Sequence, residues 1–292
     1  MVVFLVNLND FIKVKSKEAL SLGKEEAAVI IYLEYLTKKS SSELYAMLFE
    51  ELDSNIIKDF DEGFKEYLYH NKPIQYMVGY QTFYGYDFMV DERVLIPRFE
   101  TEELVENVLL LYDEYFSGQE VNVCDIGTGS GAIGISLAKE EPHMNVFMTD
   151  ISDDALDVAR FNARKLGATV KIIKGDMAEP LLALNMQFDI IVSNPPYIPL
   201  HEEVLSLVKD NEPHIALFGG DDGLYFYRKI LACAPKLLKK RGIIAFEHGY
   251  NKNAEIEALI KTYFKEAMVI HKKDLQGRDR MSFAIVGDFD AK

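Results

Sequence analysis

Apolar positions recur along this chain at two different periods, and the change of period divides it. From about Asp10 to Asn71 they follow helical spacing with short connections. The stretch Lys24–Lys38 carries Ala28, Ile31, Tyr32, Tyr35 and Leu36, with Ile30 and Leu33 on its other sides, so this helix is predicted to be surrounded by others. Ser40 and Glu43 form a capping-box pattern ahead of Leu44, Leu48 and Leu52. A further helix is predicted after Ser54, with Ile57, Phe60, Phe64, Tyr67 and Leu68 at helical spacing. Asn71-Lys72-Pro73 ends it, because proline disfavours helix in the residue before it. The expectation for residues 1–73 is a small helical bundle. Residues 74–96 switch to aromatic and β-branched residues broken by Gly79 and Gly85, which predicts a hairpin linking two domains.

In residues 97–292 the periods alternate. A helix to about Tyr115 precedes strand Val121–Cys124, helix Ala132–Lys139, strand Val146–Thr149, helix Asp153–Lys165 and strand Val170–Ile173. Strand Phe188–Ser193, helix Leu224–Leu238, strand Ile243–Phe246, helix Ala254–Phe264 and strands near Met268–His271 and Ser282–Val286 follow. This order predicts an α/β fold, a doubly wound and mostly parallel sheet with helices on both faces. Ligands of such sheets bind at the carboxyl ends of the strands, where the strand order reverses.

Composition narrows the function. Apolar residues at 49% and charged residues at 27% are those of a globular protein. No run approaches the ~18 apolar residues of a spanning helix, and Met1–Val6 is too short for a signal-peptide core, so a cytoplasmic location is expected. Two cysteines and six scattered histidines offer no zinc-ligand spacing, and no metal is expected. A net charge of −15, spread over both halves, disfavours a grip on nucleic-acid phosphates and favours a protein or small-molecule partner.

The candidate chemistry lies at two predicted strand ends. After the first strand comes Asp125-Ile-Gly127-Thr128-Gly129-Ser130-Gly131, opening a helix. Glycines let a ligand lie against bare backbone. Asp125, two residues before the first glycine, would repel a pyrophosphate but suits an ammonium group. Asp150 ends the next strand, where a carboxylate accepts the hydroxyls of an adenosine ribose; Ser152 is the better cap for the helix that follows. Asp176 is placed to take an adenine amino group while Met177 packs on the ring, although an ordinary loop explains both residues equally well.

Strand Phe188–Ser193 runs into Asn194-Pro195-Pro196-Tyr197. The two prolines stiffen the loop and donate no N–H. The Asn194 side-chain oxygen and the Pro195 carbonyl can each accept one N–H of an incoming amino group, while Tyr197 offers a flat apolar face to the planar group bearing it. Holding both hydrogens directs the nitrogen lone pair toward an electrophile.

These residues resemble the family of peptide-chain release factor glutamine N5-methyltransferases, which use S-adenosylmethionine. The likeness runs from Lys72 to Arg280 and includes Leu95-Ile96-Pro97-Arg98, Glu100-Thr101-Glu102, the glycine loop, Asn-Pro-Pro-Tyr, Glu247-x-Gly249-Tyr250 and Asp274-Leu275-x-Gly277-Arg278-Asp279-Arg280. Phe99, where the family usually has proline, and Lys252, where it often has glutamine, depart from the pattern. For Arg98 and Glu102 a loop closing over the cofactor and a structural ion pair are equally good readings. The resemblance implies a seven-stranded methyltransferase sheet and transfer of a methyl group to the glutamine amide of the Gly-Gly-Gln loop of class I release factors. It implies that Asn194 to Tyr197 hold that amide, that Gly127 to Gly131, Asp150 and the position of Met177 hold the cofactor, and that Asn194 touches both. It implies a substrate-recognition role for the helical domain. The partner expected is a release factor met by a monomeric enzyme, without direct nucleic-acid or membrane binding. An adenine-N6 or guanine-N2 methyltransferase acting on DNA or RNA is the alternative, since Asn-Pro-Pro-Tyr suits any exocyclic amine. A dinucleotide-binding oxidoreductase would leave Asp125 and that loop without a task.

Overall fold

The computed structural model of the chain describes residues 6–288, so the segment Met1–Leu5 lies outside the described residues. The chain divides into two compact units. One comprises the chain through Gly79 together with Leu205–Asn211; the other holds Tyr80–Val204 and the chain from Glu212 onward.

The first unit is helical, with α1 (Leu8–Ser21), α2 (Ala27–Thr37), α3 (Ser41–Ala46), α4 (Ser54–Gly63), α5 (Lys65–His70) and α6 (Ile74–Val78). Helix α2 is enclosed, with Ala28, Val29, Tyr32 and Leu33 buried, and Tyr32 packs on Phe60 and Phe64. The Ser40–Glu43 capping box is present in both directions. Three local expectations change. Helix α3 ends at Ala46 and does not continue through Leu48 and Leu52, because the backbone beyond it bonds to the start of α1: Asn9 N donates to Leu48 O at 2.8 Å and Leu8 N to Glu50 O at 3.0 Å. The helix expected after Ser54 breaks at Phe64 into α4 and α5. Residues 74–78, expected in the hairpin, form the single-turn α6, bracketed by Pro73 at its start and left-handed Gly79 (φ 81°) at its end. The segment Leu205–Asn211 joins this unit through the Asn211 side chain, which donates to the Asn71 carbonyl at 2.8 Å.

The second unit opens with the hairpin β1 (Tyr80–Phe83) and β2 (Tyr86–Met89) and continues with α7 (Phe99–Tyr115), β3 (Val121–Ile126), α8 (Ala132–Glu140), β4 (Met144–Asp150), α9 (Asp153–Leu166), β5 (Val170–Lys174), α10 (Glu179–Leu182) and β6 (Phe188–Ser193). The one-turn α11 (Ser206–Lys209) belongs to the helical unit; then come α12 (Tyr225–Leu237), β7 (Leu238–Glu247), α13 (Asn253–Tyr263), β8 (Met268–Lys273) and β9 (Asp279–Val286). The seven-stranded sheet has the order β5-β4-β3-β6-β7-β9-β8, parallel except for β9, which is antiparallel to both β7 and β8. Side chains alternate between two cores, as the period of a strand requires. Val121, Val123, Ile190, Val192, Ile243 and Ala245 pack under α7, α8 and α9, whereas Cys124, Ile126, Ile191, Ile244 and Phe246 pack under α12 and α13. This is the doubly wound architecture expected from the alternating pattern. Its strand order reverses between β3 and β6, whose registers align Asp125 with Val192. No described helix is long and apolar enough to cross a membrane.

Candidate active site

A cavity of about 320 Å³ opens at that reversal point, in the second unit. Gly127, Thr128, Gly129 and Ser130 line it from the end of β3, Asp150 from the end of β4, Asp176 and Met177 from the loop after β5, and Asn194 and Pro196 from the end of β6. Register brings them together: Ile126 lies opposite Thr149, and the Ser193 hydroxyl donates to the Ile126 carbonyl at 2.6 Å.

The glycine loop needs its glycines. Gly127, Gly129 and Gly131 have φ of 74°, 55° and 88°, a region L side chains rarely adopt. A Cβ on Gly131 would also stand 2.6 Å from Ile135 Cδ1. The loop is tied to acids on either side. Asp150 Oδ2 accepts the Gly129 N–H at 2.9 Å and its Oδ1 accepts the Ser152 N–H at 3.0 Å, while the Ser152 hydroxyl caps α9. Asp150 thus enters the cavity already braced; burial raises its pKa above the ordinary carboxylate range.

Asp125 occupies a different place from the one its position in the sequence suggests. Its carboxylate is fully buried beneath the loop and is absent from the cavity wall, with Oδ2 accepting the Thr128 hydroxyl at 2.5 Å and the Gly134 N–H at 3.0 Å. Odd-numbered residues of β3 face α8, which turns Asp125 toward that helix. Desolvation pushes its pKa up to about 7 against the pull of these two donors. Its Oδ1 is buried and has no hydrogen-bond partner.

Asp176 carries an ion pair with Lys229 of α12, which also lines the cavity. Met177 is buried, with positive φ (50°), and its carbonyl accepts the Thr149 hydroxyl at 2.9 Å. Gly131, Pro195 and Tyr197 lie off the cavity wall. Tyr197 is set by Arg280, whose guanidinium approaches its hydroxyl at 3.4 Å, and its ring lies where a Cβ on Gly249 would be 3.3 Å from Cδ2. Burial raises the Tyr197 phenol above its ordinary pKa.

Several residues of the site carry no local sequence signal for their roles. Arg98 pairs with Glu212 at 2.5 Å, and Glu212 also accepts the Ile96 N–H at 3.1 Å, so the 96–98 segment is anchored by a buried carboxylate more than a hundred residues away. Glu102 is not the partner of Arg98 in these contacts: it accepts the Tyr84 N–H at 3.0 Å. Phe99 is 72% exposed at the start of α7, and Lys252 pairs with Glu255. Thr101 lines the cavity and donates to Glu247 at 2.6 Å; Asn194 Nδ2 donates to Thr101 at 3.2 Å. Glu247 and Thr101 stand in motifs that resemble the family's, yet only the sheet register, which aligns Ser193 with Phe246, puts Glu247 beside Asn194.

The chain is similar to known methyltransferases. Residues 103–210 match the family model described as methyltransferase small domain. The chain is 41% identical over 264 residues to the release factor glutamine methyltransferase of Bacillus cereus, covering 90% of this chain and 93% of that one. It is 40% identical over 267 residues to the protein of the same name from Bacillus subtilis, covering 90% and 92%. Among solved structures, a methyltransferase from Pyrococcus furiosus shares the fold at 17% identity and a TM-score of 0.50, covering 81% of this chain and all of that one.

Proposed function

The chain belongs to the release factor glutamine methyltransferase family, and from that premise we propose that it methylates the side-chain amide nitrogen of the glutamine in the Gly-Gly-Gln segment of class I peptide-chain release factors. One juxtaposition carries this reading: a glycine loop suited to a nucleoside and the Asn194 amide line the same cavity, at the ends of adjacent parallel strands. Identity near 40% to relatives named for a protein substrate favours a protein amide over the exocyclic amine of adenine or guanine.

The residues fit S-adenosylmethionine as cofactor. The unpartnered Oδ1 of buried Asp125 leaves a carboxylate whose field favours a cation in the loop above it. Asp150 retains lone pairs for ribose hydroxyls, and Met177 supplies an apolar surface for the adenine ring. When bound, the cofactor supplies a methyl group made electrophilic by its sulfonium sulfur.

Catalysis by the chain rests on positioning and desolvation. Asn194, on the cavity wall, accepts one N–H bond of the glutamine amide at Oδ1; the Pro195 carbonyl and the Tyr197 ring, proposed for the second N–H and the amide plane, stand off that wall, with the Tyr197 hydroxyl 3.4 Å from Arg280. An amide nitrogen is a weak nucleophile because its lone pair is delocalised. Holding both hydrogens in the plane of the acceptors aims that pair at the electrophile. The helical unit is assigned to recognition of the release factor. Incubation with methyl-labelled S-adenosylmethionine and a class I release factor, followed by peptide mass spectrometry, tests the proposal. Label on the Gly-Gly-Gln glutamine is the expected result, and label confined to nucleic acid would refute it.

A further inference from the structure

The chain Glu247–Thr101–Asn194 has a direction. The Thr101 hydroxyl has one proton, and it points to Glu247 Oε2 at 2.6 Å. Its oxygen must then accept from Asn194, which requires the atom 3.2 Å away to be the amide nitrogen. Asn194 also lies close enough to the Glu247 carboxylate to favour its charged form. An ionised carboxylate only accepts, so the Thr101 proton stays directed at Glu247 and the Thr101 oxygen draws the NH₂ end of Asn194 into the wall. The amide is planar, and turning its nitrogen to the wall turns its oxygen away from it.

Resting on the function proposed above, we infer that Glu247 is a positioning residue which, through Thr101, fixes the rotamer of the Asn194 amide so that Oδ1 is presented to the substrate N–H. A substrate NH₂ meeting Asn194 the other way round would find a donor and could not be held. The surroundings of Glu247 make this orientation titratable. From α7 come Thr101 and Glu100, from β9 Arg280, from the β6 loop Asn194 and Tyr197, and from α12 Tyr227, whose hydroxyl donates to the Glu247 carbonyl at 2.7 Å. His248, next along the chain, is buried, and desolvation lowers its pKa. Burial outweighs the donors and the Arg280 charge and raises the Glu247 carboxyl to about 7. Protonated, it becomes a donor toward Thr101, the hydroxyl can reverse, and Asn194 is free to flip.

The test compares the full-length protein with Glu247→Gln, which keeps the shape but adds a donor, and with the pair Thr101→Val and Thr101→Ser. Saturated with cofactor, the wild type is expected to show kcat for a release factor rising with pH through about 7 to a plateau. Glu247→Gln is expected to lose on the order of a hundredfold in kcat and to lose that acidic limb, with cofactor affinity within about threefold. Thr101→Ser should recover most of what Thr101→Val loses. A second readout needs neither cofactor nor substrate: the Asn194 side-chain NH₂ resonances, identified by their loss in Asn194→Ala, should titrate with one midpoint in the wild type and stay flat in Glu247→Gln. Resonances that do not titrate in the wild type, or an unchanged kcat profile in Glu247→Gln, would overturn the inference. Titrating resonances in a wild type that leaves release factors unmethylated would uphold the orientation and sink the proposed function instead.

Discussion

Ser193 donates its hydroxyl to the Ile126 carbonyl at 2.6 Å, fully buried, across the point where the strand order of the sheet reverses. The glycine loop departs from one end of this bond and the Asn-Pro-Pro-Tyr loop from the other, so the bond sets the spacing of the two halves of the cavity. Replacing Ser193 by alanine leaves the Ile126 carbonyl without this donor, a cost of about 1–3 kcal/mol. Chemical denaturation should report that loss, and kcat should fall more than the cofactor affinity, because the loops stay intact while their separation loosens.

Asn194→Ala removes the acceptor proposed for the substrate amide and none of the glycine-loop contacts. Turnover is expected to fall by about three orders of magnitude or more, the scale for losing a positioned group in a closed site, while calorimetry should find cofactor affinity changed only a few-fold. Activity equal to wild type would remove Asn194 from the mechanism.

Asp125 makes opposite predictions for the ligand-free and cofactor-bound protein. Its folded pKa, about 7, lies above the 3.8 of an ordinary aspartate, so the folded state holds a proton that the unfolded chain releases. The stabilisation this proton gives is complete below pH ~4 and is lost as pH rises to ~7. Asp125→Asn, always neutral, should therefore gain stability relative to wild type between pH 5 and about 8. Cofactor affinity should run the other way, rising with pH in the wild type as the carboxylate ionises and faces a cation, and staying flat in Asp125→Asn. Melting curves and calorimetry over that range check both signs.

Glu212 serves the Ile96 N–H and the Arg98 guanidinium at once from a buried position. Truncation to alanine strands both donors and is expected to cost about 2–4 kcal/mol and to weaken cofactor binding, since Pro97 and Arg98 line the cavity. Glu212→Gln, which keeps an acceptor, should lose less than half of that stability. Equal loss in the two variants, measured by denaturation, would mean that packing rather than hydrogen bonding holds the segment.

From β3 to β9 the order of the strands and of the long helices α8, α9, α12 and α13 was legible from the sequence, as were the strand-end position and the two loops of the candidate site; the short α10 and α11 were not expected. Each depends on local rules: alternation for strands, 3.6-residue spacing for helices, glycine for left-handed turns, proline for stiffness. Phe188–Ser193 and the start of α8 at Ala132 coincide with the expectation for that reason. What was not legible is non-local. The end of α3 at Ala46 depends on backbone partners near Asn7, and the Arg98–Glu212 pair joins residues 114 apart. Asp125 reads as a ligand-facing acid and proves to be buried under the loop, because a strand's two faces are distinguished only by what packs on them. Glu247 and Asn194 are neighbours through the pairing of β6 with β7, a register that no spacing along the chain encodes. Sequence by itself determined which chemical groups stand at the strand ends. The tertiary structure alone decided which of them share the cavity and which way their hydrogen bonds run, since a hydrogen bond's direction depends on the partner that packing brings to it.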